Sequence, residues 1–222
     1  MNDRGWPRDY LEELERQIDL TPEVLADIRF VDVEASSLFK TSYPIEVAVA
    51  TVDMAVESML IKPLPHWDDW SWESENVHNI SREMLERDGE DARLVALRSN
   101  ALLRGRYVFS DNPGFDNRWY LRLFADVDVR MGFEARDYDP LRSAAMKIAV
   151  KTMSPSEMGR LEHKVETVYQ HTHRAGDDVR RMAALTRYLV DPDWRAWFER
   201  ADYSDLVREL GRDPDAPRPR RK

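Results

Sequence analysis

The stretch from Ile28 to Val33 constrains the fold of this chain more than any other segment does. Its sequence, IRFVDV, is short, rich in β-forming residues and mostly apolar, which is typical of a strand covered on both faces of a sheet. Two more strands are predicted at 46–52 and 57–61, and the tight turn between them at Asp53-Met54 indicates antiparallel pairing. Because these strands are followed by strand and helix patterns in alternation, we predict an α/β fold with a mixed sheet flanked by helices.

The rest of the chain is mostly helical, with helical extensions at both ends. A further strand is predicted at 106–110, and 63–79 is predicted to be irregular. Helices are predicted at 8–20, 22–27, 81–88, 91–104, 117–124, 139–152, 156–170, 173–190 and 193–210. We therefore expect an N-terminal helical extension at 1–27, a domain at 28–190, a C-terminal helix at 191–210 and a disordered basic tail at 211–222.

Composition excludes several classes of protein. The chain of 222 residues has no cysteine, which excludes a disulfide scaffold, an iron–sulfur protein and a thiol nucleophile. Its net charge of -9 argues against a protein that coats DNA without regard to sequence. No apolar run approaches the ~18 residues of a membrane span, and the polar N-terminus does not resemble a signal peptide. We expect a cytoplasmic protein that does not act at a membrane.

Two carboxylates occupy the end of the first strand. Asp32 and Glu34 are two residues apart, so both side chains project from the same face. Acidic pairs are common in a chain with 42 acidic residues, but this pair is distinguished by its position at the end of a mostly apolar strand. Because two such carboxylates repel each other unless a cation lies between them, oxygen ligands here indicate magnesium or manganese.

Two later segments also carry acidic groups in suggestive places. The strand at 106–110 leads into DNPGFD, where Asp116 opens a helix, either as a simple cap or as part of a site. In HRAGDD, His173 and Asp178 are five apart and would lie on different faces of one helix. Both can serve one site only if His173 precedes the helix and Asp178 lies inside it. Asp177, four residues from His173, is the geometric alternative.

Taken in order, DVEAS, SDNPGFD and HRAGDD resemble the three motifs of the DEDDh 3′–5′ exonucleases, a family with a ribonuclease H-like fold. The resemblance covers about residues 28–190. The family includes proofreading exonuclease subunits, ribonuclease T and oligoribonuclease. It implies that Asp32, Glu34, Asp116 and Asp178 hold two divalent ions, Mg²⁺ or Mn²⁺. It also implies that His173 is the general base of phosphodiester hydrolysis. On this alignment Asp116, and not Asp111, is the acidic residue of the second motif.

The chain departs from the family in two places near the expected substrate. Ala35 and Ser36 stand where the family usually has Thr-Gly, and Asp111-Asn112 stands where it usually has His-Asn. The resemblance implies that Ala35, Ser36, Asn112 and also His78 contact the terminal nucleotide. The expected partners are 3′ ends of single-stranded DNA or RNA, very short oligonucleotides included, and the motifs do not distinguish these. The oligomeric state stays open, with a homodimer as one option.

The alternative to an enzyme is an inactive ribonuclease H-like module that binds nucleic acid or another protein, against which the five intact catalytic positions argue. Trp67, Trp70 and Trp72 either stack bases or pack a long loop onto the core, and we favour packing. His171 and His163 lie near His173 without the regular spacing of a metal site, and we expect His171 at the surface.

Overall fold

The computed structural model describes residues 1, 3–17 and 19–211, without the side chains of Leu11 and Leu14. Its centre is a five-stranded sheet in the order β3-β2-β1-β4-β5. Strand β1 pairs antiparallel with β2 and parallel with β4; β2 and β3 are antiparallel, and β4 and β5 parallel. The strands are β1 (Ile28–Ala35), β2 (Pro44–Thr51), β3 (Val56–Leu60), β4 (Tyr107–Ser110) and β5 (Arg136–Asp137). The predicted mixed α/β sheet is therefore confirmed, whereas the two-residue strand β5 was not predicted.

The helices follow the predicted order, with shifted ends. One short helix, α3, lies in the segment predicted to be irregular, and the side chain of Ser71 caps its start. The helices are α1 (Arg8–Glu15), α2 (Pro22–Asp27), α3 (Trp72–His78), α4 (Arg82–Asp88), α5 (Ala92–Leu103), α6 (Pro113–Asp126), α7 (Tyr138–Ala149), α8 (Pro155–Val168), α9 (Ala175–Val190), α10 (Pro192–Arg200) and α11 (Tyr203–Glu209).

Strand β1 is covered on both faces, as its apolar sequence predicts. Ile28 and Phe30 belong to a core shared with α7, α8 and α9, whereas Val31 and Val33 belong to a second core shared with α4, α5 and α6. Helix α9 packs across β1, β2 and β3. Because side chains alternate along a strand, Asp32 and Glu34 continue the row of Ile28 and Phe30 toward α9. The fold thus brings the end of β1 and the start of α9 together.

The segment before β1 packs onto the domain. The indole N–H of Trp6 donates to the carbonyl of Met153 at 2.7 Å, and Trp6 and Leu20 are buried in the α7–α9 core. Helix α2 begins as predicted: the side chain of Thr21 accepts the N–H of Val24, and Pro22 occupies the first turn.

The predicted C-terminal helix at 191–210 is wrong in one respect, because the structure has two helices there. Lys164 donates to the carbonyls of Phe198, Glu199 and Ala201, the unpaired acceptors at the end of α10. Ala201 is extended, and Asp202 caps α11 by accepting the N–H of Ser204 at 2.8 Å. The predicted tail is 211–222, and from residue 212 onward it lies outside the described residues. Among the described residues, no helix is both long and apolar enough to cross a membrane.

Candidate active site

The first carboxylate pair lies at the end of β1, as predicted, and faces the N-terminus of α9. One oxygen of Asp32, one of Glu34 and one of Asp178 lie within 4.8 Å of one another. Asp178 is only 3% exposed and lies in the first turn of α9. Two elements far apart in sequence therefore contribute three carboxylates to one cluster.

Asp116 belongs to a second cluster that shares Asp32. Oxygens of Asp32, Asp111 and Asp116 lie within 4.8 Å of one another. Helix α6 begins at Pro113, so Asp116 lies inside the first turn and is not the cap; the cap position belongs to Asn112. The carboxylate of Asp116 is buried and accepts the hydroxyl of Ser110. The simple capping role is thus excluded, and Asp111, which was not expected among the ligands, lies beside them.

The segment before α9 has the geometry that one shared site requires. Helix α9 begins at Ala175, so His173 precedes it and Asp178 lies inside it. His173 has a φ of 55°, a left-handed conformation that is uncommon outside glycine. Asp177, the alternative to Asp178, accepts the hydroxyl of Thr172 at 2.8 Å and pairs with Arg180 instead.

His171 is at the surface, as expected, but it also belongs to this site. Its Nδ1 lies 3.2 Å from Oδ1 of Asp178, and its side chain is 44% exposed. Its ring centroid is 4.2 Å from that of His173. The hydrogen bond to Asp178 raises the pKa of His171, whereas burial, together with the neighbouring His171, lowers the pKa of His173. The irregular spacing of the histidines argued against a metal site in the sequence, and the contact with Asp178 spans the left-handed residue His173.

One cavity of about 600 Å³ contains these groups. Its walls include Ala35, His78 and Asn112, three of the four residues expected to contact substrate. Ser36 does not line it: its fully buried hydroxyl accepts the N–H of Tyr43 and donates to Asp69. The lining residues are Asp32, Val33, Glu34, Ala35, Ser37, Leu38, Glu73, Ser74, Val77, His78, Asp111, Asn112, Phe115, Asp116, Trp119, His171, His173 and Asp178.

The three tryptophans of the long loop behave differently from one another. Trp67 is 1% exposed and stacks on Tyr43 with ring centroids 4.8 Å apart. Trp70 is partly buried against the same core, and its indole donates to Glu75 at 2.8 Å. Trp72, the first residue of α3, is 69% exposed. The packing role is thus confirmed for Trp67 and Trp70 and wrong for Trp72.

The electrostatics of the carboxylates fit divalent cations. Burial, reinforced by neighbouring carboxylates, raises the pKa of Asp32 well above its ordinary value and that of Glu34 to about 8. Burial also raises the pKa of Asp116, although the hydroxyl of Ser110 opposes the rise. Within the described part of the chain, Oδ2 of Asp32 and Oδ2 of Asp178 are buried without a hydrogen-bond partner. Unpaired buried oxygens in a repulsive cluster are donors suited to a divalent cation.

We expect the carboxylates to destabilise the metal-free protein as the pH rises. The folded pKa of Glu34, about 8, exceeds its ordinary value of 4.5, so the folded state binds more protons and stability falls through that window. The pKa of Asp32 is raised for the same reasons, so removing its charge should relieve the cluster only where the carboxylates are ionised. In chelator, Asp32→Asn should raise the melting temperature by several degrees at about pH 9 and hardly at all at about pH 4. Thermal unfolding by circular dichroism measures both, and an Asn variant that is less stable at high pH would contradict the prediction.

Glu46 fixes the position of the segment that carries His173. It lies opposite Glu34 in the β1–β2 register and is 3% exposed. Its carboxylate accepts both the Nε and Nη2 donors of Arg174, at 3.0 and 2.9 Å, and the N–H of Ala175 at 2.9 Å. The hydroxyl of Ser58 also donates to it at 2.9 Å. A buried carboxylate therefore binds the N-terminus of α9 to the sheet.

We expect Glu46→Gln to lower both stability and turnover. Losing a charged acceptor for several donors should cost about 2 kcal/mol of unfolding free energy. A shift of about 1 Å at His173 should lower kcat by roughly 100-fold. Urea unfolding and steady-state kinetics measure the two effects, and Ser58→Ala, which removes a single donor, should give a smaller change in each. A Gln variant with the parent's kcat would show that the contacts of Glu46 with Arg174 and Ala175 do not position His173.

No protein-family model matches this sequence, and no curated protein matches it. Solved structures of exonuclease I do match. They include the E. coli enzyme in its zinc-bound complex with single-stranded DNA (TM-score 0.54, 19% identity) and with a dA16 oligonucleotide (TM-score 0.55, 18% identity). The enzyme from Methylocaldum szegediense also matches, with a TM-score of 0.52 and 20% identity. Each alignment covers 78% of this chain and 42% of the other, so the chain spans less than half the length of these proteins. At these identities the similarity shows the fold, and the ribonuclease H-like α/β fold is confirmed.

Proposed function

We propose that this protein is a metal-dependent 3′–5′ exonuclease that removes nucleotides from the 3′ ends of single-stranded nucleic acid. One observation carries the proposal: carboxylates from β1, α6 and α9 meet a histidine in a single cavity. The similarity in fold to exonuclease I, which was crystallised with single-stranded DNA, supports the same reaction class.

Four carboxylates would hold two divalent ions. Asp32 is common to both clusters; Glu34 and Asp178 complete one cluster, and Asp116 completes the other beside Asp111. When bound, two such ions polarise a phosphate and stabilise the charge that develops on the attacking and leaving oxygens. Burial raises the pKa of Asp32 and Glu34, and repulsion between the carboxylates adds to the rise; the ions would relieve that repulsion.

His173 would act as the general base. Its lowered pKa favours the neutral imidazole, and only the neutral ring can accept a proton from the attacking water. Its side chain is exposed to the cavity on a segment that precedes α9, where it can approach the reacting atoms. Asp178 lies in the first turn of α9, five residues after His173, and would hold the carboxylate cluster close to the base.

The walls of the cavity suit unpaired bases. Leu38 is 69% exposed and Val77 is 43% exposed, and Phe115 and Trp119 line the same space. Apolar and aromatic surfaces of this kind bind bases that are not paired with a second strand. Ala35, Asn112 and His78 would contact the terminal nucleotide, and burial lowers the pKa of His78 to about 4, so that it offers a neutral polar group.

We expect Asp116→Asn to lower turnover far more than Asp111→Asn. Asp116 is buried with its carboxylate fixed by Ser110, whereas Asp111 is exposed at the rim of the same cluster. Removing a buried metal ligand should cost several kcal/mol of transition-state stabilisation, which is roughly 1,000-fold in kcat. Water can take the place of an exposed ligand, so its removal should cost less. Parallel steady-state assays of the two variants measure the difference. The reverse order of effects would show that the second motif is misaligned.

A panel of 5′-labelled oligonucleotides tests the proposed function. DNA and RNA, long strands and dinucleotides, are each incubated with Mg²⁺ or Mn²⁺ and with excess chelator. We expect stepwise shortening from the 3′ end of at least one single-stranded substrate, with none in chelator. Full hydrolysis in chelator would contradict the metal requirement, and no hydrolysis of any substrate would favour the inactive binding module.

A further inference from the structure

A second group of potential ligands lies beside the carboxylates, and it contains nitrogen. One ligand atom each from His171, His173 and Asp178 lie within 4.8 Å of one another. The two imidazole rings are 4.2 Å apart between centroids and inclined by 71°. We propose that His171, His173 and Asp178 form a binding site for a zinc ion, separate in donor type from the site formed by carboxylates alone.

The donor set selects the ion. Magnesium and manganese prefer oxygen ligands, whereas imidazole nitrogen suits zinc and neighbouring transition ions. Two imidazoles and one carboxylate are three protein ligands, the number that zinc commonly takes when a fourth position stays open. The clusters centred on Asp32 contain only carboxylate oxygens. The two sets of ligands therefore prefer different ions, although they share Asp178.

The cluster combines one buried carboxylate, with an oxygen that lacks a partner among the described residues, and two histidines that an ion can reach. Asp178 is 3% exposed, and its Oδ2 has no partner in the part of the chain that the structure describes. Its Oδ1 accepts the N–H of Thr172 at 3.0 Å, which fixes the carboxylate toward the histidines. His171 and His173 are exposed side chains, so their rings can turn to an ion that arrives from solvent. Zinc would replace the existing contact between His171 and Asp178.

Zinc at this site would inhibit the proposed nuclease, a consequence that rests on the proposed function. The ion would occupy the lone pair with which His173 accepts a proton. It would also bind the carboxylate that Asp178 contributes to the cluster with Asp32 and Glu34. Both losses occur together, so an ion that shares only Asp178 with the oxygen-only cluster would stop turnover.

Zinc titration followed by calorimetry tests the site in the full chain without substrate and with millimolar Mg²⁺ present. We expect micromolar affinity in the parent, and roughly 100-fold weaker binding in His171→Gln, because one of three protein ligands is gone. His163→Gln is the matched control: His163 is an exposed histidine of α8 that should leave zinc affinity unchanged. X-ray absorption at the zinc edge should report two imidazole ligands in the parent.

Three results would overturn the proposal: no zinc binding in the presence of Mg²⁺, equal affinity in His171→Gln and the parent, or a zinc spectrum with oxygen ligands alone. Circular dichroism confirms that each variant is folded, so that a loss of affinity reports the ligand. Because the titration needs neither substrate nor turnover, a protein that binds zinc as expected but hydrolyses nothing would contradict only the proposed function.

Discussion

We expect Asp178→Asn to abolish turnover while the protein stays folded. Asp178 is buried, its Oδ2 faces no partner among the described residues, and it belongs to the cluster with Asp32 and Glu34. Removing its charge would weaken the hold on the divalent ions, whose transition-state stabilisation is worth several kcal/mol, or roughly 1,000-fold or more in kcat. Steady-state kinetics at saturating Mg²⁺ measure the loss, and thermal unfolding checks that the fold survives.

Asp177→Asn is the matched control, since it changes the same charge one residue away. Asp177 interacts with Thr172 and Arg180 rather than with the carboxylate cluster, and asparagine can still accept the hydroxyl of Thr172. We expect turnover within a few-fold of the parent. If Asp177→Asn loses activity and Asp178→Asn keeps it, the two residues have been assigned in the wrong order.

His173→Ala should lower kcat by roughly 100- to 10,000-fold, the range typical of a lost general base. Mg²⁺ affinity should hardly change, because His173 is not one of the carboxylates proposed to hold the divalent ions. The parent's rate should rise with pH as the imidazole loses its proton. Since burial lowers the pKa of His173, this rise should be centred below the ordinary value of 6.5. The alanine variant should lose that rise, and pH–rate profiles at saturating substrate measure it.

In Asp177→Asn, the rate should keep the pH dependence of the parent. This control distinguishes the loss of a general base from the loss of a nearby charge. If His173→Ala weakens Mg²⁺ binding and keeps its pH profile, His173 organises the metal site and another group accepts the proton.

Local sequence was sufficient to predict the strand and the helix that carry most of the candidate site residues. The apolar stretch of β1 predicted a strand covered on both faces, and two-residue alternation placed Asp32 and Glu34 on one face of it. The five-residue separation of His173 and Asp178 allowed one shared site only if a helix began between them, and α9 begins there, at Ala175, two residues after the predicted start at 173. Each of these predictions depends on periodicity within a single element, which a sequence records directly.

Contacts between distant segments could not be predicted in this way. Glu46 receives donors from Arg174 and Ala175, more than 120 positions along the chain, and nothing in its strand indicates them. Asp111 reaches the carboxylate cluster because α6 begins earlier than its apolar pattern suggests. His171 contacts Asp178 across a segment in which His173 is left-handed. In each case the missing information was a tertiary contact rather than a local preference.

A comparison of linear and circular substrates tests most directly whether the cavity lined by the carboxylates hydrolyses nucleic acid from a free 3′ end. One 5′-labelled single strand and its covalently closed circle are incubated with the parent protein and with Asp32→Ala in Mg²⁺. We predict that the parent shortens the linear strand stepwise from its 3′ end and leaves the circle intact, and that the variant degrades neither. Cleavage of the circle, or equal degradation by Asp32→Ala, would contradict the account.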